Sequence, residues 1–350
     1  MTDYYIALDV HCAFSEMAVM TGNGKHVLRD RCETRIPSLR ELIAKVRRPR
    51  RLTFEEGPLA DWLARELRSS VDELVVCEPR RNSWIARDSD KDDPIDARKL
   101  ADLYRGGYLK AVHQAESLGR SLLKQQVSLY HDRVKERVRQ GNQLVALFRR
   151  HGVFVKATHT LKDETWHLCL KQLPKSPLLR QGLTLVREIY AHLSTQEESL
   201  RAGLISLAKQ EEPIRRFEKL PGMGWIRSVT FYAYIDAPQR FRSKAALWRY
   251  SGIGLERRHS GRGPVQTRLS RQGNRRLKNV LLGAAQTAVA QAENVYADKY
   301  HHWTQEGIPA ANARRNVARA IAATLWSLWK TGQTFDAKRV AVPMANDEQR

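Results

Sequence analysis

The sequence predicts a mixed α/β domain at the amino terminus, a long helical middle and a mainly helical carboxy-terminal domain. Short β-runs alternate with short amphipathic stretches up to about residue 104, and two long apolar-striped, charge-laced runs follow residue 118. Beyond residue 213, glycine- and arginine-rich segments separate apolar helical runs. Lys and Arg total 60 against 38 Asp and Glu, a formal net charge of +22 over 350 residues. That balance excludes a neutral-metabolite enzyme as the first reading and points to a polyanionic partner. No stretch approaches the roughly 20 apolar residues that span a bilayer, and the amino terminus lacks a signal-peptide pattern, so a cytoplasmic protein without a membrane partner is expected. Cys12, Cys32, Cys77 and Cys169 are scattered with no C-x-x-C pair, which predicts buried, reduced thiols in place of a disulfide framework or zinc site.

Element by element, Tyr4-Tyr5-Ile6-Ala7-Leu8-Asp9-Val10 reads as the first strand. Runs over 16–20 and 25–29 flank the Gly22-Asn23-Gly24 turn and supply two more. After Pro37, the spacing of Leu39, Leu42, Ile43 and Val46 predicts a helix. A strand over 52–55, a helix over 59–67, a strand over 73–77 and a helix over 94–104 complete the order βββαβαβα. That order suits a mixed sheet flanked by helices and is the order of the RNase H-like fold. Leu122, Val127, Leu129, Val134, Val138, Leu144 and Leu147 stripe a helix over 118–152, and a second runs over 178–207 after Pro174 and Pro177. These read as a coiled-coil or bundle element for oligomerisation or spacing. A further domain begins near Pro213, with a long arginine-rich loop over 254–273 and helices over 275–292 and 310–330. A polar tail follows Phe335. The expected domains are residues 1–115, 116–212 and 213–335, with 336–350 as tail.

Four acidic positions, one of them offering two adjacent glutamates, fall at strand ends and a helix start. Asp9 closes the first strand, Glu55 and Glu56 end the next major strand, and Asp93-Pro94-Ile95-Asp96 opens a helix. Pro94 fits the first helical position, leaving Asp93 as cap and Asp96 on the same face. Phosphodiester chemistry calls for such a set, because Mg²⁺ ions about 4 Å apart neutralise the attacking and leaving oxygens and are held by carboxylates. Taken singly, each also reads as a cap, a turn former or a solvent-facing strand end.

In the last domain, Leu220-Pro221-Gly222-Met223-Gly224 before an apolar helix reads as a helix-hairpin-helix-like turn. There Gly222 and Gly224 let backbone N–H groups approach a phosphate. Downstream, Arg257, Arg258, Arg262, Arg268, Arg271, Arg275 and Arg276 crowd the loop and the helix that Asn274 caps, as phosphate contacts would. Ser260, flanked by arginines and followed by Gly261, can serve as a nucleophile toward phosphate. On spacing alone, Ser251 and Ser270 are equal candidates, and each also reads as an ordinary polar residue.

Together, Ile6-Ala7-Leu8-Asp9, Phe54-Glu55-Glu56-Gly57-Pro58 and Asp93-x-x-Asp96-Ala97-Arg98 resemble the DEDD signature of the RuvC-like domain in transposases of the insertion-sequence family called IS-one-ten. The Leu-Pro-Gly-Met-Gly turn, Tyr250-Ser251-Gly252-Ile253-Gly254, Ser260-Gly261, Gly273-Asn274 and the helix ending at Gly332 resemble that family's carboxy-terminal transposase domain. The resemblance implies a recombinase that cuts and rejoins double-stranded donor and target DNA. It implies Mg²⁺, as two ions, on Asp9, Glu55, Asp93 and Asp96, with Glu56 as the alternative ligand, and Ser260 as the covalent nucleophile. It further implies dimers, tetramers when active, a structured non-coding bridge RNA that selects the DNA by pairing, and work at the prokaryotic nucleoid. Competing readings are a metal-only RuvC-like junction resolvase and a non-enzymatic nucleic-acid-binding protein.

Overall fold

Strand alternation organises the first unit. β1 (Tyr4–Val10), β2 (Phe14–Thr21) and β3 (His26–Glu33) form an antiparallel meander, and β4 (Arg50–Glu55) and β5 (Glu73–Cys77) add parallel to β1 on its other side. The resulting mixed sheet runs β3-β2-β1-β4-β5. The computed structural model describes residues 3–79, 93–115, 117–258, 266–269, 273–291 and 293–340. It divides into two compact units, residues 1–116 and 117–350.

One face of the sheet presents Ile6, Leu8, Met17, Val19, Leu52, Phe54 and Val76 to α1 (Ile36–Ala44) and α2 (Ala60–Leu67), whose Leu39, Ile43, Leu63 and Leu67 are wholly buried. The other face presents Ala7, Met20 and Cys77 to Leu100 and Ala101 of α3 (Asp93–Arg105). This is the expected βββαβαβα order, a mixed α/β unit consistent with an RNase H-like domain. β2 and β3 run longer than their apolar residues suggest, because β3 is an edge strand whose residues alternate between half-buried and exposed and so carry little apolar signal. The thiols depart from expectation: all four are free, but Cys12 is exposed and Cys32 only half-buried, since Cys12 lies in the β1–β2 connection.

In the second unit, α4 (Leu118–Arg149) and α6 (Pro177–Gln210) pair along their length. At 1.5 Å per residue each is about 50 Å long. Ser117 and Ser176 cap them, accepting from the Arg120 and Leu179 amides. Arg137 and Glu197 bridge the pair, and Gly141 sits under the Tyr190 ring, where a Cβ would come to 2.9 Å. At one end the pair closes on α5 (Asp163–Lys171) through Leu144, Phe148, Trp166 and Leu183. At the other end, Leu123, Val127, Tyr130, Leu204 and Ala208 join the core of the carboxy-terminal helices, so the long helices and the residues beyond 213 share one core.

That core is built around α8 (Trp225–Ile235), buried from Ser228 to Ile235, with α7 (Glu212–Glu218), α10 (Arg275–Ala290) and α12 (Ala310–Thr331) packed on it or on one another. α9 (Lys244–Tyr250) and α11 (Val295–Gln305) complete the helical set among the described residues. The expected loop over 254–273 is corrected: β6 (Leu255–Arg258) and β7 (Gln266–Leu269) pair antiparallel as a hairpin. Sequence reasoning missed it because both strands are polar and arginine-rich, with no apolar alternation to mark them.

Gly222, at φ 81°, has no room for a side chain: a Cβ would stand 2.1 Å from the Ala284 carbonyl oxygen on α10. Gly203, in α6, faces open space. Gly222→Ala is expected to destabilise the protein by more than about 2 kcal/mol, whereas Gly203→Ala is expected to stabilise it by up to about 1 kcal/mol. Denaturant unfolding of both variants checks this; a neutral Gly222→Ala would refute the close approach.

Candidate active site

Strand register builds the amino-terminal half of the site. In the parallel pair, Leu8 stands beside Phe54, so the next pair brings Asp9 level with Glu55 at the carboxyl ends of neighbouring strands. Because side chains alternate, Asp9 and Glu55 share the face on which Ala7 meets α3, while Glu56 has the opposite parity and lies just past the strand. Its amide donates to the Cys77 carbonyl at 2.8 Å, which fixes the strand's exit. Alternation therefore selects Glu55 over Glu56 as the carboxylate on Asp9's face.

Two residues that sequence reasoning missed join this edge. His11 places its Nε2 3.1 Å from an Asp9 carboxylate oxygen, and its ring packs on Phe14 at 4.9 Å. Glu16, only 7% exposed, stands opposite Asp9 in the antiparallel register and faces Arg31 at 3.5 Å. Both follow from a turn centred between Cys12 and Ala13; recognising it would have set this register. A recess of ≈ 200 Å³ opens beside them, lined by His11, Cys12, Glu55, Gly57 and Pro58 among others.

α3 covers this face of the sheet. Its buried stripe is Ala97, Leu100, Ala101 and Tyr104, and positions 93 and 96 lie one turn before Ala97 and Leu100 on the same stripe. Tyr5 and Tyr104 meet edge to face at 5.4 Å and hold α3 on β1. Asp96 is half-buried; the Asp93 side chain lies outside the described residues. Among the described residues, no group of three or more His, Cys, Asp or Glu side chains is close enough to hold a metal ion. The donor chemistry still fits a hard divalent cation: Asp9 and Glu55 present carboxylate oxygens on one face, beside the helix that begins at Asp93.

The carboxy-terminal residues divide by placement. Gly224, at φ 74° and ψ 163°, precedes α8 with open space around it, in a backbone region confined to glycine. Gly222 instead serves the close approach to α10, and its carbonyl accepts from Arg227. Arg276 is tied up inside the unit, donating to Ser128, to the Tyr234 hydroxyl at 2.5 Å and to Asp132 at 2.7 Å. It joins α10 to α4 rather than standing ready for phosphate. Nearby, His131 shares a 2.9 Å hydrogen bond with Thr230, and burial together with Arg276 holds its imidazole below the usual histidine range.

Arg275 is exposed at the start of α10, whose N-cap Asn274 accepts from the Leu277 amide at 3.0 Å. Arg257 and Arg258 fall on β6 and Arg268 on β7, paired with Thr267, Gln266 and Glu256 respectively. Ser260, Arg262, Ser270 and Arg271 lie outside the described residues. Ser251, the remaining rival nucleophile, is fully buried after α9, which removes it from contact with DNA.

Residues 6–152 match the DEDD transposase family model of the IS110 group, and residues 214–302 match the model described as the transposase IS116/IS110/IS902 family. The chain belongs to this transposase family. The transposase for insertion sequence element IS1111A of Coxiella burnetii is 22% identical over 259 residues, which cover 71% of this chain and 69% of that relative. The protein is thus a DNA transposase, an enzyme, and the non-enzymatic reading falls. The first match contains every member of the acidic set; the second contains the glycine turn, the hairpin and Ser260.

For this transposase, Asp9→Ala and Glu55→Gln are expected to lower DNA strand cleavage more than about a hundredfold, while Glu56→Gln retains most of it. Cleavage assays on the three purified variants decide it, and loss with Glu56→Gln but not Glu55→Gln would reverse the assignment.

Proposed function

We propose that this transposase recombines the DNA of an insertion sequence by a covalent serine mechanism, aided by divalent metal on a RuvC-like domain and guided by RNA. The observation that carries the metal half is the level placement of Asp9 and Glu55 on the face that α3 covers, with Asp93 and Asp96 on that helix. In this reading Asp9, Glu55, Asp93 and Asp96 hold Mg²⁺, two ions in the full site. Bound metal supplies charge neutralisation at the reacting phosphate. His11, through its contact with Asp9, orients that carboxylate.

The serine half rests on the family match and on the hairpin. In the sequence Ser260 falls between β6 and β7, the strands that contain Arg257, Arg258 and Arg268. In the proposed step the Ser260 hydroxyl loses its proton and its Oγ forms a bond to phosphorus, while the bond from phosphorus to one sugar oxygen breaks. That oxygen leaves as a hydroxyl, and a phosphoserine diester remains. Attack by the exchanged strand's hydroxyl re-forms the DNA backbone and restores serine. Arg257, Arg258 and Arg262 are local cations able to stabilise the charge that develops.

Oligomer formation and RNA guidance complete the proposal. Leu122, Leu129 and Val138 on α4 and Leu185 and Ile189 on α6 are exposed apolar residues on long helices, as an interface between copies requires. The +22 charge suits a protein that holds DNA and structured RNA together. Among the described residues no helix is long and apolar enough to cross a membrane.

Denaturing the wild-type reaction in mid-course is expected to trap DNA on a phosphoserine at Ser260, and Ser260→Ala to bind DNA yet form no adduct; chelating divalent cations should stop both cleavage and adduct formation. An adduct mapped to Ser270 would overturn the assignment of Ser260, and undiminished cleavage by Ser260→Ala with no adduct would favour the metal-only resolvase reading.

Purified protein is also expected to carry a structured RNA whose binding weakens steeply with salt. Recombination of the natural sites that persists unaided after ribonuclease treatment and repurification would defeat the guide assignment.

A further inference from the structure

Within the second unit a recess of ≈ 650 Å³ opens between α9, the first residue of β6, the end of α11 and α12. That volume lies inside the range of about 300–1,000 Å³ usual for small-ligand sites. Its walls carry two indoles, Trp248 and Trp303, and its cations are Lys244, Arg249 and Arg319. No carboxylate lines it among the described residues. The walls are fixed in place: the Trp248 ring nitrogen donates to the Arg319 carbonyl at 3.0 Å. The Arg319 guanidinium in turn donates to the Ile253 carbonyl at 2.8 Å and to Asn316 at 2.6 Å. Lys244 and Arg249 are exposed at the rim. At the floor, Gly254 passes so near Arg249 that a Cβ would stand 2.8 Å from its backbone, and the next residue, half-exposed Leu255, begins the hairpin.

Flat aromatic walls beside exposed cations match a nucleotide: the base stacks on indole and the phosphate meets Lys or Arg. A paired base in a duplex has both faces covered by its neighbours, so only an unstacked base can offer its ring to such a recess. Whatever sits there also sits at the foot of the strand that leads to Ser260. We propose that this recess receives one unstacked nucleobase of the DNA strand undergoing exchange, stacked on Trp303 or Trp248, with Lys244 and Arg249 on its phosphate. The pocket would register the strand relative to the hairpin. The assignment rests on the transposase reading for the nature of the ligand and goes beyond it in naming the site.

The test uses the full-length protein with a single-stranded DNA oligonucleotide carrying 5-iodouracil, the same sequence as RNA, and the DNA as a fully paired duplex. Ultraviolet cross-linking of the DNA single strand is expected to map to the peptides bearing Trp248 or Trp303, with little cross-linking from the duplex. Trp303→Ala is expected to weaken single-strand binding about tenfold, Arg249→Ala to weaken it with a smaller salt dependence, and Trp303→Phe to restore most of the affinity. If the oligonucleotides bind but cross-link only elsewhere, and Trp303→Ala binds like wild type, the recess is not a base pocket. Cross-linking there by RNA alone overturns the DNA assignment. Failure to bind any of the three would overturn the nucleic-acid reading itself, and this proposal with it.

Discussion

The parallel pairing of β1 with β4 is the constraint on which the amino-terminal site depends. A slip of one residue would carry Glu55 to the opposite face and separate it from Asp9. Several contacts hold the register. Ile6, Leu8, Leu52 and Phe54 are fully buried on one face, so a slip would expose them. At the start of β4 the Arg50 amide donates to Asp72 at 2.8 Å. The Arg50 guanidinium reaches the carbonyls of Ile43, Val46 and Ser70 within 2.9 Å. Farther along, the Thr53 hydroxyl donates to the Val75 carbonyl at 2.9 Å, tying β4 to β5. Apolar burial makes slippage costly, and the Arg50–Asp72 knot fixes where pairing begins.

A different device organises the second unit. Its central helix α8 is enclosed by neighbours, and the connections around it are held by backbone closeness and half-buried arginines. Gly222 admits the α10 backbone, Arg227 reaches from α8 to Gly222 and Thr287, and Arg276 joins α10 to α4 through Ser128 and Asp132 and to α8 through the Tyr234 hydroxyl. The β6–β7 hairpin leaves this framework at Gly254, a position closed to side chains by Arg249, and returns through Gly273, which lies against Gly252. Both feet of the ribbon are thus fixed by glycines in close contact with the helices. Functional groups on loops gain precision from such rigid attachment.

These two devices explain what was legible in the sequence. Short, mainly apolar runs marked β1, β4 and β5, whose residues are covered on both faces of the sheet, and helical spacing marked α1, α4 and α6, each of which buries one face. The parallel neighbourhood of Asp9 and Glu55 followed from element order. What escaped depends on contacts between distant segments. No local feature separates Arg276, held by Ser128 and Asp132, from exposed Arg275 beside it. Gly222 and Gly224 look alike in the turn, yet one faces the Ala284 carbonyl and the other faces open space. The β6–β7 hairpin has polar strands, and the partnership of Glu16 with Asp9 depends on a turn with no glycine to announce it.

Arginine usage also limits how the net charge can be read. Arg50, Arg227, Arg276 and Arg319 serve carbonyls and side chains within their own units, so the +22 charge is not a count of phosphate contacts. The charge sets a long-range field that draws a polyanion toward the surface. At short range the Asp9–Glu55 edge opposes it, because two carboxylates on one face repel a phosphate brought between them. Neutralisation at that edge must therefore be local: the β3 residue Arg31 faces Glu16, and His11 touches Asp9. On the proposed reading a divalent cation reverses the sign of that edge. A strongly basic surface and an acidic strand edge then serve successive steps: the first captures DNA without regard to metal, and the second admits the reacting phosphate only when metal is bound.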